Sequence, residues 1–228
     1  MTQTSAPDVE KSADEFAVKY PESELKVAMY QRAMQLYWQQ NDAAKVLMVG
    51  RKVLATEPNN PVALGMTATV LAERTQETDI DRNERLAEAQ KDTATLVSTL
   101  DQSLPTIVPA NTPPEQLQAV KEQLLAMAYT AEGKADLELK EDARAEAAFK
   151  KALQLDAADP RSHFRLALAL DHQGRYADAL AAVNKAIKVG QNDPIIPQAT
   201  REKERLQQLA GGAPPKPATP QAQPTPHR

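Results

Sequence analysis

The sequence predicts an all-α fold made of repeated helix pairs, and three observations support this prediction. An apolar pattern, Ala145-x3-Phe149, returns thirty-four residues later as Ala179-x3-Val183. Alanine, leucine, glutamine, glutamate and lysine dominate the 228 residues while aromatic residues make up only 4%, which favours helix over strand. Prolines and asparagines punctuate the segments of helical spacing, as at Pro160. A fixed period of this length is typical of helix pairs stacked into a solenoid.

Apolar residues recur every three or four places in seven segments outside the repeated pattern, which predicts helices at about 8–20, 22–40, 43–56, 61–74, 81–101, 115–140 and 197–210. Pro21 stops the first helix, and Asn41 suits the left-handed backbone that ends the second. Pro61 fits the first turn of the fourth helix, because an N–H there would have no helical partner. The acids around Asp81 favour the start of the fifth helix, and Gly211 ends the last.

We expect one helical domain over 8–210, between a loose start at 1–7 and a disordered tail at 211–228. The tail sequence APPKPATPQAQPTPHR has six prolines and almost no apolar bulk, so it cannot form a core. The repeat units and a final capping helix are expected at about 27–60, 61–102, 115–159, 160–193 and 197–210.

The 34-residue units resemble the tetratricopeptide repeat (TPR). When the first place of the unit falls on Pro160, Leu166 and Ala167 take the family's Leu-Gly or Leu-Ala pair, and Gly174 takes its turn. The resemblance covers about 22–193 and is strongest in the last unit. It implies a TPR-type α-solenoid of antiparallel helix pairs, flanked by capping helices.

One period earlier, the unit that begins at Ala126 places Tyr129 fourth and Gly133 eighth. A glycine at the eighth place allows two helices to approach closely, which offsets its propensity cost of about 1 kcal/mol. This register predicts one unbroken helix over 115–140. The rival register ends the helix at Gly133 and needs seven extra residues before Ala145.

The middle of the chain departs from the family pattern, because 65 residues rather than 34 separate Pro61 from Ala126. We expect a longer second helix there, followed by an irregular loop at 103–114, SLPTIVPANTPP, which contains four prolines. The apolar residues of this loop either fold back over the neighbouring helices or form a docking segment for a partner.

Composition argues against several function classes. The absence of cysteine excludes disulfides and thiolate nucleophiles, and a net charge of −4 without a basic stripe gives no reason to expect nucleic acid. None of the three histidines has a partner at metal-ligand spacing. Asp171-His172 could form an acid–base pair, although a solvated helix end beside Gly174 is the favoured interpretation. We therefore expect no catalytic residues, no metal and no cofactor.

No apolar run is long enough to span a bilayer, and the start MTQTSAPDVEKS lacks the basic segment and apolar core of a signal peptide. A soluble protein is expected, cytoplasmic or, if a leader was removed, periplasmic. The phrase FAVKYPESELK resembles a helix-end motif common in bacterial envelope repeat proteins, such as outer-membrane-assembly lipoproteins and cell-division coordinators. A proline-stopped capping helix in any compartment is the alternative interpretation.

The resemblance implies a non-catalytic scaffold or adaptor that binds a partner peptide or helix in a concave groove, or alternatively a structural or assembly factor of the bacterial cell envelope. The oligomeric state stays open. Candidate partner-binding residues, mostly at the places that face inward in the family, are Gln31, Gln35, Trp38, Thr69, Met127, Lys134, Arg161, Phe164, Arg165 and Asp171.

Trp38, the single tryptophan, is the first candidate for an anchor, since aromatic residues are enriched at binding hot spots. Contact with the N-terminal capping helix is its alternative role. Arg161 and Arg165 match two basic positions with which chaperone-adaptor members of the family grip a C-terminal carboxylate. The matching lysine and asparagines are absent, with Gln31, Gln35, Gly65 and Ala131 in places of that kind, so two solvated arginines are the favoured interpretation.

Overall fold

A computed structural model describes residues 5–211 of the chain. Within this range the backbone forms ten α-helices and no strand, and the helices are α1 Ala6–Lys19, α2 Leu25–Gln39, α3 Ala43–Thr56, α4 Pro61–Arg74, α5 Arg82–Ile107, α6 Pro114–Glu138, α7 Asp142–Leu155, α8 Pro160–His172, α9 Tyr176–Gly190 and α10 Ile196–Ala210. The Pro-rich tail from residue 212 and the first four residues, both expected to be disordered, lie outside the described residues.

Local sequence explains most helix ends. The side chains of Asp42, Asn60 and Asp159 accept hydrogen bonds from backbone N–H groups in the first turns of α3, α4 and α8. Asn41, at the end of α2, has a φ of 56°, as expected from its tolerance of left-handed backbone. Gly174 has a φ of 73° in the turn between α8 and α9, which matches its place in the repeat.

The chain becomes helical earlier than expected. Helix α1 begins at Ala6, inside the segment 1–7 that was expected to be loose. Ser5 caps it, because its hydroxyl accepts a hydrogen bond from the N–H of Asp8 at 3.4 Å. Pro7 does not oppose this start, since the first N–H groups of a helix have no partner within it.

The expected loop at 103–114 is wrong for its first five residues, because α5 continues to Ile107 with Pro105 inside its last turn. A proline so near the end of a helix removes one hydrogen bond and leaves few residues beyond it to disturb. Leu104 is 4% exposed and packs in the cluster that also contains Leu100 and Leu124. Burial of this apolar face offsets the proline, and the segment folds back over the neighbouring helices.

Successive helices pack side by side from α1 to α10, and α4 also contacts α6, which in turn contacts α8. This arrangement is the α-solenoid that the repeats predict. Helix α6 runs without a break through Gly133, as the register without an insertion requires. A Cβ atom on Gly133 would lie 2.8–2.9 Å from the ring of Phe149, so glycine permits α6 and α7 to pack closely.

The first and last helices cover the two ends of the stack. On α1, Glu10 is 7% exposed and accepts hydrogen bonds from the Tyr37 hydroxyl at 2.7 Å and from Lys45 Nζ at 2.9 Å. On α10, Leu206 is fully buried in the C-terminal core cluster, which also contains Phe149 and Phe164. Between these two helices, residues of α2, α4, α6 and α8 contribute to one surface of the stack.

Candidate protein-binding groove

Two adjoining cavities of about 410 and 480 Å³ lie on this surface, and Thr69 of α4 lines both. The smaller, here the Trp38 cavity, lies among the end of α2, the end of α4 and the start of α8. The larger, here the Met127 cavity, lies among α6, the α7–α8 turn and α8. Together we call them the inner groove. Its size suits an extended peptide or one face of a helix.

Aromatic and basic side chains surround the Trp38 cavity. Trp38, in the last turn of α2, is 38% exposed and forms part of the wall. Arg161, in the first turn of α8, lines the same cavity, and its Nε lies 3.5 Å from Asp193 Oδ1. Arg74 also lines it and donates a hydrogen bond to Asn41 Oδ1 at 2.8 Å. An exposed tryptophan and two arginines that line one cavity are a common composition for a protein-binding hot spot.

An ion pair ties Glu73, which lines the Trp38 cavity, to Arg165 of α8. Arg165 Nη2 of α8 lies 2.7 Å from Glu73 Oε1 and donates a hydrogen bond to Glu73 Oε2 at 2.8 Å. The Arg165 side chain is only 14% exposed, so the expectation that both arginines are solvated is wrong for this one. The pair holds the end of α4 against the second turn of α8, and it neutralises the carboxylate of Glu73.

The Met127 cavity has an apolar floor and an acidic rim. Ala126, Met127, Ala152 and Leu155 contribute the floor. The charged residues that line this cavity are all acidic, namely Glu122, Asp156 and Asp159. Beside the floor, the hydroxyls of Thr130 and Ser162 lie 3.3 Å apart and tie α6 to α8.

The structure brings four of the predicted site residues into the inner groove: Trp38, Thr69, Met127 and Arg161. These come from four different helices, so the groove depends on the stack rather than on any single repeat. Two further candidates, Gln31 and Gln35, lie on α2 but line neither cavity.

Three other candidates are engaged by the fold instead. Phe164 is 8% exposed and packs in the C-terminal core cluster, because its face of α8 is covered by neighbouring helices. Asp171 forms an ion pair with Arg205 of α10. Lys134 bonds Glu138 one turn along α6. Burial alone would raise the pKa of Glu138, but hydrogen bonds from Lys134 and Arg82 outweigh it and lower that pKa.

Sequence reasoning missed the acidic rim of the Met127 cavity. Asp156 and Asp159 lie within the turn DAADP, of which only Pro160 was interpreted, as a break between helical segments, and Glu122 lies in the part of α6 that precedes the repeat. The spacing of the turn acids relative to the 34-residue unit was the available signal. Their position beside the groove follows from the packing of α6 against α8, which local sequence does not reveal.

Asp171 and His172, for which a solvated helix end was favoured over an acid–base pair, do not bond each other. His172 Nδ1 instead lies 2.8 Å from Asp142 Oδ1 of α7, at a partly exposed site. Among residues 5–211, no three His, Cys, Asp or Glu side chains are placed to hold a metal ion. Within the same range no helix combines the length and apolar character that a membrane crossing needs.

Comparison with known proteins matches part of the chain to a known repeat. Residues 137–199 match the family model described as tetratricopeptide repeat. The fold resembles a tetratricopeptide repeat protein from Parabacteroides merdae ATCC 43184, with a TM-score of 0.57 and 17% identity over 90% of this chain and 68% of that one. It also resembles the MamA protein, with a TM-score of 0.52 and 17% identity over 81% and 86% of the two chains. A thermophilic TPR protein of Thermus thermophilus gives a TM-score of 0.50 at 17% identity, over 90% and 91%.

A shorter match links part of the chain to a curated protein. Over 43 residues it is 56% identical to the cytochrome c-type biogenesis protein CycH of Rhizobium meliloti (strain 1021). The matched segment covers 19% of this chain and 11% of that protein. The structural comparisons, all at 17% identity, show a shared fold.

Proposed function

We propose that this chain, which contains tetratricopeptide repeats, is a non-catalytic scaffold or adaptor that binds a partner peptide or helix in its inner groove. The observation that supports the proposal most directly is the Trp38 cavity. There an exposed tryptophan of α2 and an exposed arginine of α8 line one cavity of about 410 Å³. Side chains of these two types contribute a large share of binding energy at protein interfaces.

Exposure of Trp38 favours binding over a purely structural role. A structural tryptophan would pack against α1, which was the alternative considered, yet Trp38 lies at the far end of α2 and lines the groove with Thr69 and Arg161. On α2, Tyr30 and Tyr37 contact α1, since their hydroxyls donate hydrogen bonds to Asp14 and Glu10. Trp38 is therefore available to a partner.

A second candidate function is an assembly factor of the bacterial cell envelope. The short match to a cytochrome c-type biogenesis protein favours it, as does the helix-end phrase FAVKYPESELK. In the structure this phrase ends α1, where the rings of Phe16 and Tyr20 lie 4.9 Å apart. Under this alternative the inner groove holds a protein that is being matured or assembled.

The test is a cross-linked pull-down from the source cell with the intact chain and with a Trp38→Ala, Arg161→Ala variant. The matched control changes one exposed apolar residue of α3 and one exposed basic residue of α9, Met48→Ala and Lys188→Ala. Circular dichroism must show equal helicity for all three proteins. Partners lost only from the groove variant support the proposal, and their identity separates the two candidate functions. Partners retained by the groove variant and lost from the control variant would contradict it.

A further inference from the structure

We infer that the inner groove selects a partner segment by the order of its charges. The segment has an acidic residue in the Trp38 cavity, apolar residues over Met127, and a basic residue at the rim of the Met127 cavity. This inference rests on the proposed function, because it describes the partner of the same groove.

The Trp38 cavity is the basic end of the groove. Its charged lining residues are Glu73, Arg74 and Arg161, and the carboxylate of Glu73 is already paired with Arg165. The Arg161 side chain is 54% exposed, and its contacts with Asp193, at 3.4–3.5 Å, are long. Such an exposed pair contributes little to stability, so the guanidinium can turn to an incoming carboxylate at low cost. An acidic group beside Trp38 therefore finds two arginines.

The Met127 cavity is the acidic end. Its charged lining residues are Glu122, Asp156 and Asp159, with no lysine or arginine among the residues that line it. Asp159 accepts hydrogen bonds from the backbone N–H groups of Arg161 and Ser162, which hold its carboxylate at the start of α8. Asp156 accepts one from the N–H of Ala158. A partner carboxylate placed here would be repelled, whereas a lysine or arginine would be attracted.

The two ends are continuous and differ in sign. Thr69 is uncharged and lines both cavities. Its hydroxyl donates a hydrogen bond to the Gly65 carbonyl at 2.8 Å. The floor next to it is apolar, through Met127 and Leu155. A segment that lies along the groove therefore passes from positive to neutral to negative surroundings. A segment with its two charges in the reverse order would place like charges next to each other at both ends of the groove. Interfaces reject incorrect partners by repulsion of this kind.

The experiment selects binders from a displayed library of random peptides, each about 12 residues long to span a groove of this size, on the full chain. Selected peptides are then labelled, and their affinity is measured by fluorescence anisotropy, with the emission of the single tryptophan as an independent report of contact with Trp38. We expect selected sequences to have an acidic residue towards one end, an apolar centre and a basic residue towards the other. Exchange of the two charged residues should weaken binding about tenfold or more.

Charge reversal in the protein tests the assignment of each end. Arg161→Glu should weaken a selected peptide about tenfold, and replacement of its acidic residue by lysine should restore much of that loss. Glu122→Lys should likewise weaken a selected peptide, and replacement of the basic residue of the peptide by glutamate should restore much of that loss. Lys188→Glu, an equal charge change on the exposed surface of α9, is the control and should leave affinity unchanged. Circular dichroism of each variant confirms that it folds.

The outcomes separate this inference from the proposed function. If no selected peptide depends on Trp38, as judged with Trp38→Ala, the groove is not the binding surface and both are overturned. If peptides depend on Trp38 but show no charge order, or if the reversed peptides fail to restore binding to Arg161→Glu, the groove binds partners and the charge-order inference alone is wrong.

Discussion

Arg165 of α8 forms an ion pair with Glu73 of α4 at 2.7 Å, although 92 residues separate them in the chain. The two helices belong to different repeat units, with α5, α6 and α7 between them in sequence. Interactions in a repeat stack are mostly between neighbouring units. This pair therefore links two units that are not neighbours in the chain, the second and the fourth, by a direct contact.

We expect the pair to contribute about 1 kcal/mol of coupling, since both side chains are partly buried and the arginine forms two contacts with the carboxylate. A double-mutant cycle of Glu73→Ala and Arg165→Ala, followed by urea unfolding, measures it. The control cycle uses Lys11 and Glu15, an exposed pair at 3.9 Å, for which coupling near zero is expected. Equal coupling in the two cycles would contradict the role assigned to the Glu73–Arg165 pair.

Features determined by local sequence were predicted well, and features determined by distant packing were not. The left-handed Asn41 and the unbroken helix through Gly133 follow from residue type and a 34-residue register. Pro105 was interpreted by its local propensity, which the buried neighbours of Leu104 override. The pairing of Glu73 with Arg165 depends on the winding of the whole stack, and no sequence spacing reveals it.

The same distinction explains the site residues. Trp38 and Arg161 occupy inward places in the repeat, and the structure places both in the groove. Phe164 and Asp171 occupy inward places too, but Phe164 packs in the C-terminal core cluster and Asp171 pairs with Arg205 of α10. The family pattern gives the direction of a side chain from its helix. Whether other side chains cover that direction depends on tertiary packing, which differs even along one helix, since Arg161, Phe164 and Asp171 all lie on α8.

Gly133→Ala should destabilise the protein even though alanine is the better helix former. Alanine would favour the helix by about 1 kcal/mol. Its Cβ would, however, lie 2.8–2.9 Å from three ring atoms of the fully buried Phe149, and overpacking of this kind costs about 1–3 kcal/mol. We expect a net loss of about 1 kcal/mol in urea unfolding.

Gly65→Ala is the matched control for Gly133→Ala. The nearest atom to its Cβ would be the sulfur of Met127 at 2.8 Å, the flexible end of a side chain that can move aside. We therefore expect Gly65→Ala to lose less stability than Gly133→Ala. A Gly133→Ala protein that is as stable as the parent would show that the Phe149 ring can move to make room for the added methyl group.

Asp92→Asn should stabilise the protein at neutral pH. Burial in α5 raises the pKa of Asp92 to about 6, more than its contact with the Thr67 hydroxyl at 2.8 Å lowers it. A carboxyl whose pKa is raised on folding favours the folded state when protonated, so this contribution is lost as pH rises from about 4 to about 6. The shift corresponds to at most about 3 kcal/mol. Asparagine removes the charge, and its amide can still bond Thr67.

Urea unfolding of Asp92→Asn at about pH 7.5 and about pH 4 checks this sign. The gain over the parent should be present at the higher pH and small at the lower, where the native carboxyl is already protonated. Glu204→Gln on α10 removes one exposed carboxylate and should show no such difference between the two pH values. A loss of stability at the higher pH would mean that the Asp92 carboxylate is stabilising in the fold.

Glu146→Gln should have the opposite pH dependence. Burial would raise the pKa of Glu146, but hydrogen bonds from Lys150, Arg175 and Gln173 outweigh burial and lower it to about 2. A carboxyl whose pKa is lowered on folding contributes stability that is complete above its unfolded pKa and is lost as pH falls through the folded value. The variant should therefore lose stability at neutral pH, by less than the full shift implies because the partner side chains of Lys150 and Arg175 are exposed, and progressively less between about pH 4.5 and about pH 2. Thermal unfolding across this range measures the loss, with Glu15→Gln as the control because its side chain is 70% exposed. A deficit that persists unchanged at the acid end of this range would show that Glu146 stabilises α7 against α9 through packing rather than through its charge.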